Sequence, residues 1–486
     1  MKRTAMLLTG LVAVGLVALM ASHVHAIATD IGGTIVWNTI TGTNTITDLR
    51  LRAVIVDEGW NASLINANTK IETINWKANT DTALMANTNN YLRAVEVYDP
   101  RQSGGTGRLL ITAYKSDTAA ASKVYGILLA DCALVARVGG NAADGSPNYT
   151  LANKKLITMG SSATNDWSSV EAFRAMAAPK NYQGKTSNNI SLFLSTGAGD
   201  TYLTNGSTTA GRNTFYLFDK NANDCIDVTS GGDANREKTS IVMPGGRNYL
   251  DMEFSSTDQA IFRSFNYTAS PDTKTRIERV WSDSNGGSHY QEYFKSGDCA
   301  TGGLGLQADG MGIAVGPGTA SYTAPIVYVL SVECATLGSR PSIWALQDRT
   351  GDNVVTWGTT DIIKEVWCNG QNGITLTTHS GDTASQYAGE DIEFVMNPDT
   401  HVRTLVWNTF SGDLLALNLA DNCLEGAGTG KKVLSYGGAI GGPSLQYSGF
   451  ELDMNPVAAI PEPGTLLLLG TGALGALGYL RRRRMK

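Results

Sequence analysis

The sequence predicts an all-β chain, and three observations carry that expectation. Its apolar runs are short and alternate with polar residues at period two. The runs end in clusters of Asn, Asp, Gly or Ser, the residues that turns favour. No stretch keeps apolar residues at helical spacing for long enough to bury one face of a helix.

The strands repeat. Thr34-Ile35-Val36-Trp37-Asn38-Thr39-Ile40-Thr41-Gly42 reappears as Thr404-Leu405-Val406-Trp407-Asn408-Thr409-Phe410-Ser411-Gly412. Ile392-Glu393-Phe394-Val395-Met396-Asn397-Pro398 precedes the second copy, and its counterpart, Phe450-Glu451-Leu452-Asp453-Met454-Asn455-Pro456, lies at the far end of the chain. A final strand that completes the unit begun at the N-terminus is how a ring of repeated sheets closes. The predicted fold is therefore a β-propeller of six blades, with seven as the alternative, closed by its N- and C-terminal strands.

The apolar-Glu-apolar signature marks each inner strand in order, at Glu96, Glu171, Glu253, Glu393 and Glu451, with Leu306-Gln307-Ala308 as a degenerate copy. Second strands are expected at 109–114, 190–195, 261–267, 311–315, 404–407 and 34–37. Third strands are expected at 124–129, 214–218, 290–294, 326–330, 414–419 and 46–51. Candidate fourth strands are 71–76, 342–346 and 362–367. The insertions 139–165, 198–212 and 268–288 are expected on the rims, where loops carry binding surfaces.

The two ends read differently. Lys2-Arg3, an apolar segment and Val24-His25-Ala26 form a signal peptide over residues 1–26, cleaved after Ala26 and served by the Sec machinery. The body spans 27–458. Residues 459–486 hold Pro461-Glu462-Pro463, an apolar run over 464–480, and Arg481-Arg482-Arg483-Arg484. At about 1.5 Å per residue that run just spans a bilayer as a transmembrane sorting helix, and the arginines stay on the cytoplasmic side. The alternative is a permanent C-terminal anchor. This order of parts resembles the PEP-CTERM sorting signal of Gram-negative bacteria. The resemblance implies that an exosortase removes the tail, and that the protein is then released or attached at the cell surface or extracellular matrix, in association with exopolysaccharide, biofilm or floc.

Without the seven basic residues and one acidic residue of the two ends, the body carries a net charge near −12. Such a surface argues against nucleic acid or anionic lipid as a partner, so contact with the membrane is expected only through the sorting helix. The six cysteines follow the repeat: Cys132, Cys225, Cys299, Cys334 and Cys423 are each expected after a third strand. Equivalent positions in neighbouring blades lie too far apart to bridge, which leaves Cys334 with Cys368 as the candidate disulfide. The repeated glutamates either pair with backbone amides or arginines such as Arg93, Arg174, Arg263 and Arg403, or gather calcium. Asp219-Lys220-Asn221-Ala222-Asn223-Asp224 begins like a calcium loop but lacks its glycine and its closing glutamate, and reads as a turn.

No catalytic residue or resident cofactor is expected. His289, His379 and His401 have no metal spacing, and no nucleophile elbow or phosphate loop occurs. The stretch 282–290 reads as a plain β-turn. Rim aromatics, among them Trp60, Tyr149, Trp167, Tyr182 and Tyr202, are candidates to stack on sugars. The expected function is non-catalytic binding through rim loops. A polysaccharide-acting glycosidase or lyase and a calcium-dependent scaffold are the alternatives.

Overall fold

The computed structural model describes residues 35–40, 49–56, 60–69, 71–77, 90–98, 108–115, 126–141, 147–158, 173–177, 191–196, 214–218, 238–241, 247–267, 276–282, 288–296, 312–332, 340–376, 391–397, 400–409, 413–435 and 453–454. They form strands and turns, with one 3-10 turn at Gln371–Gly373. The chain is all-β, as the period-two patterning predicts.

Strands β1 (Ile35–Ile40), β2 (Leu49–Val56), β3 (Ile71–Lys77), β4 (Asn90–Tyr98), β5 (Arg108–Lys115), β6 (Gly126–Asn141), β7 (Pro147–Thr158) and β24 (Asp453–Met454) make an eight-stranded sheet. Its order is β24-β1-β2-β3-β7-β6-β5-β4. Two antiparallel meanders of four strands are thus joined by a parallel pairing of β3 with β7, at Asn75↔Asn148, Trp76↔Tyr149 and Lys77↔Thr150. That pairing satisfies edges that would otherwise be left open.

Four sheets of four antiparallel strands follow. The first holds β8 (Phe173–Ala177), β9 (Ser191–Thr196), β10 (Thr214–Phe218) and β11 (Lys238–Ile241). The second holds β12 (Arg247–Ser255), β13 (Ala260–Tyr267), β14 (Arg276–Ser282) and β15 (Ser288–Lys295). The third holds β16 (Gly312–Gly316), β17 (Ile326–Val332), β18 (Pro341–Gln347) and β19 (Ile362–Cys368). The last holds β20 (Ile392–Met396), β21 (Arg403–Asn408), β22 (Asp413–Asn418) and β23 (Lys431–Ser435).

The expected pairing of the chain's two ends is present: β24 lies antiparallel to β1, with Ile35 opposite Met454 and Val36 opposite Asp453. In the homologous pair β20–β21, Phe394 lies opposite Leu405 and Glu393 opposite Val406. The repeat would therefore set Ile35 against Leu452, so the observed register is displaced by two residues. A displacement of two keeps every side chain on its own face. The first strands of the units touch in the succession β24, β4, β8, β12, β16, β20 and again β24.

A second tie joins the ends. The segment after β2 lies against the last sheet: the Ala62 amide donates to Asn418 Oδ1 (2.8 Å) and the Thr404 hydroxyl to the Trp60 carbonyl (2.9 Å). Asn418 Nδ2 donates to Asn61 Oδ1 (2.7 Å) and Ser63 Oγ (2.9 Å). Trp60, expected exposed on a rim, is instead fully buried, with a left-handed φ of 66°.

Strand β17 shows why the core forms. All seven of its residues are buried, because each face meets a neighbouring sheet. Ile326, Tyr328 and Leu330 pack with Ile392, Leu405, Trp407 and Leu415 of the last sheet. Val327 and Val329 pack with Phe262, Ile277 and Phe294 of the second. Two covered faces require a continuous apolar run rather than alternation.

Some strand assignments need correction. Residues 311–315 were expected as a second strand, but β16 is the first of its sheet, so β17, β18 and β19 are second, third and fourth. The physical reason is that Gly312-Ile313-Ala314 stands where Asp391-Ile392-Glu393 stands in β20, with buried Ala314 in place of the marking glutamate and no room at Gly312, where a Cβ would lie 2.9 Å from Asp391 Cα. Residues 290–294 belong to a fourth strand, β15, because β14 occupies part of the stretch 268–288 read as an insertion. Strand β7 likewise lies inside 139–165. The stretch 198–212 lies outside the described residues. Of the stretch 282–290, expected as a turn, Ser282 ends β14 and 288–290 begin β15, with Ser282 opposite Ser288, while 283–287 lie outside the described residues.

Candidate functional site

The inner strands carry the predicted carboxylates. Glu96 on β4 lies opposite Leu110, Glu253 on β12 opposite Phe262, and Glu393 on β20 opposite Val406. Glu253 and Glu393 are half-buried. Glu171 and Glu451 lie outside the described residues. On β8 the bulge at Arg174 matches the bulges at Arg93 and Leu250, which sets Ala177 in the register of Glu96 and Glu253. Arg263 is ion-paired with Glu278 of β14 at 2.8 Å with both side chains buried, and Arg403 with Asp421 at 3.6 Å.

Sequence reasoning missed the acids two positions earlier, Asp251 and Asp391. The signal was available, since Asp251-Met252-Glu253-Phe254 and Asp391-Ile392-Glu393-Phe394 share both acids. Asp251 is buried; its Oδ1 accepts the Met252 amide (2.8 Å) and its Oδ2 the Ile313 amide of β16 (2.7 Å). Asp391 Oδ1 accepts the Ile392 amide (2.8 Å), and Asn408 Oδ1 accepts the Asp391 amide (3.1 Å). The two carboxyl groups are hydrogen-bonded to each other, and burial pushes the Asp251 carboxyl up to about 8. Asp251 thus joins β12 to β16 through the Ile313 amide and to the start of β20 through the Asp391 carboxyl. With both acids buried, the arrangement is a structural latch.

The loop 348–361, between β18 and β19, is the best-built exposed element. Asp361 Oδ1 accepts the amides of Arg349 (2.8 Å) and Thr350 (3.1 Å), while Oδ2 accepts the Thr356 amide (2.9 Å) and the Thr359 hydroxyl (2.8 Å). Partial burial pushes that carboxyl up, but these donors outweigh it and hold it below the usual aspartate range. Asp348 accepts the amides of Gly351 and Asn353 (2.7 Å each), which fixes a turn where both residues have positive φ. The Val355 amide donates to the Tyr293 carbonyl of β15 (2.7 Å), and Val355 is buried with Phe262 and Phe294.

On this scaffold Trp357 stands 60% exposed, the most open large apolar side chain among the described residues. Arg349 lies 4.0 Å above the ring of Tyr322, itself 41% exposed, and its Nε donates to Gln347 Oε1 (3.2 Å). Sequence reasoning missed Trp357 because 348–361 carries no strand pattern and reads only as the gap before a fourth strand. Of the aromatics it did name, Tyr149 lies in β7 and Trp167, Tyr182 and Tyr202 lie outside the described residues.

The cysteines follow the expected pattern in part, with Cys225 coming after β10, a third strand. Cys423 follows a third strand and is a buried thiol, whereas Cys132 lies within β6. Cys299 comes after β15, a fourth strand, and Cys334 after β17, a second strand. Cys368 is buried at the end of β19, and Cys334 lies outside the described residues. Also outside them are the segment 219–224, Ala26, and the tail with Pro461, Glu462, Pro463 and Arg481 to Arg484. Among the described residues no group of three or more His, Cys, Asp or Glu is placed to hold a metal ion, and no helix is long and apolar enough to cross a membrane.

Comparison with known families settles the tail. Residues 459–484 are a PEP-CTERM protein-sorting motif. The PEP-CTERM motif marks an exported protein that exosortase processes at the cell envelope. No curated relative matches the chain. Among solved structures, a mutant of the Aleuria aurantia lectin in complex with alpha-methyl-L-fucoside is similar at a TM-score of 0.34 and 9% identity, covering 84% of this chain and 97% of that one. A prolyl endopeptidase structure is similar at 0.30 and 11% identity, covering 85% of this chain and 45% of that one. Likeness this slight bears on neither fold nor chemistry.

Proposed function

We propose that the body, residues 27–458, is a six-bladed β-propeller that acts without catalysis as a binding or structural protein of the cell surface or extracellular matrix, in association with exopolysaccharide, biofilm or floc. The PEP-CTERM motif carries the reading, because it sends the chain outward through exosortase. Six first strands touching in cyclic succession support the blade count, with the last of them supplied by the chain's C-terminal end. Two meanders sharing one eight-stranded sheet would then be adjacent blades joined at their outer edges. The acidic body supports a solvated partner rather than an anionic lipid surface.

The test is fractionation of a Gram-negative host with and without its exosortase gene. The full chain is expected at the surface or in the matrix, shortened at its C-terminus, only when exosortase is present. An uncut chain with the same distribution in both strains would overturn the reading.

A further inference from the structure

We propose that loop 348–361 is a glycan-binding platform, in which the Trp357 indole stacks on the apolar face of a neutral hexopyranose unit while Arg349 and Asp352 take its hydroxyls. The inference rests on the reading of the chain as an exported surface-binding protein and assigns that binding to one place.

Three observations carry it. The first is rigidity without burial: Asp361 and Asp348 together accept the amides of Arg349, Thr350, Gly351, Asn353 and Thr356, so a solvent-facing loop is held in one shape. A loop fixed before binding loses less conformational freedom when it meets a ligand. The second is the surface this shape presents. Trp357 offers a broad open ring next to Thr356, whose amide shares one carboxylate with that of Arg349. An aromatic ring beside hydrogen-bonding groups suits a sugar, which has an apolar face and a polar edge.

The third is the set of donors and acceptors. The Arg349 guanidinium rests over the Tyr322 ring, and its Nη groups have no partner among the described residues. Asp352 is exposed, and its Oδ1 faces the Val354 amide and the Thr350 hydroxyl. A planar donor and a carboxylate acceptor match neighbouring sugar hydroxyls. Three aspartates in the loop and the net charge near −12 of the body weigh against an anionic chain and favour a neutral one.

The experiment is affinity electrophoresis of the protein as exported by its own host. The gels contain either the neutral or the anionic fraction of that host's extracellular polysaccharide, separated by anion exchange. Wild type is expected to be retarded by the neutral fraction. Trp357→Ala should weaken that retardation by about tenfold or more, the loss of a central aromatic anchor, with its melting temperature unchanged. Trp357→Phe, which keeps a ring, should retain part of it. Equal retardation of wild type and Trp357→Ala would overturn the platform while leaving surface binding intact. Stronger retardation by the anionic fraction would overturn the neutral class. No retardation of wild type by either fraction would overturn the platform and the polysaccharide association with it.

Discussion

Asp251 shows how a single buried acid makes the molecule sensitive to pH. Its ordinary value of 3.8 applies in the unfolded chain, whereas burial keeps it protonated to about pH 8 in the fold, beside Glu253 and hydrogen-bonded to Asp391. Between those values the folded state binds more protons than the unfolded state. The stabilisation is therefore complete below about pH 4 and is lost as pH rises toward about 8. Asp251→Asn replaces the acid O–H with an amide N–H that does not titrate. The gap in urea midpoint between wild type and variant should shrink as pH rises from about 5 to about 8. A gap that stayed constant across that range would show that no buried proton is held there. The recurrence of the two aspartates is legible in the sequence but their burial is not, because an acid on an inner strand looks the same whether it faces solvent or another acid.

Among the elements, loop 348–361 and strand β16 show where sequence legibility ends. Repeated strands such as β1 and β21 are readable because the same residues recur in both: Trp37 and Trp407 occupy equivalent places opposite Arg52 and Leu415. Strand β16 is misplaced within its sheet by sequence reasoning because Gly312-Ile313-Ala314 carries neither acid of Asp391-Ile392-Glu393, close approach of Asp391 leaving no room for a side chain at Gly312. Trp60 is misread for a related reason. An aromatic in a Gly-Trp-Asn turn reads as exposed, yet Ala62 and Thr404 draw its backbone into the last sheet.

The loop's shape depends on Asp361. Asp361→Ala should speed hydrogen exchange at the amides of Arg349, Thr350 and Thr356, and leave those of β17 slow. In wild type the same amides should lose protection only as pH falls through the lowered titration of Asp361, because a depressed carboxyl stabilises above that range and not below it. Unchanged exchange in the variant would mean that the carboxylate does not shape the loop.

At the scale of the molecule, the two ends of the chain meet twice. Strand β24 pairs with β1, and the segment from Trp60 to Ser63 is held by Asn418 and Thr404. The first contact is legible, since a repeated signature is missing at one end of the sequence and present at the other. The second is not, because it joins groups separated by more than 340 positions with no pattern in common.

The most direct test is a cross-link between the ends. Val36 and Asp453 face each other across β1 and β24, and paired antiparallel residues have Cα atoms about 4.5–5.5 Å apart, within disulfide reach. With Val36→Cys and Asp453→Cys in one chain, peptide mapping after mild oxidation should recover a peptide in which positions 36 and 453 are joined. Recovery of both introduced thiols unpaired, or joined only to native cysteines, would contradict the closure.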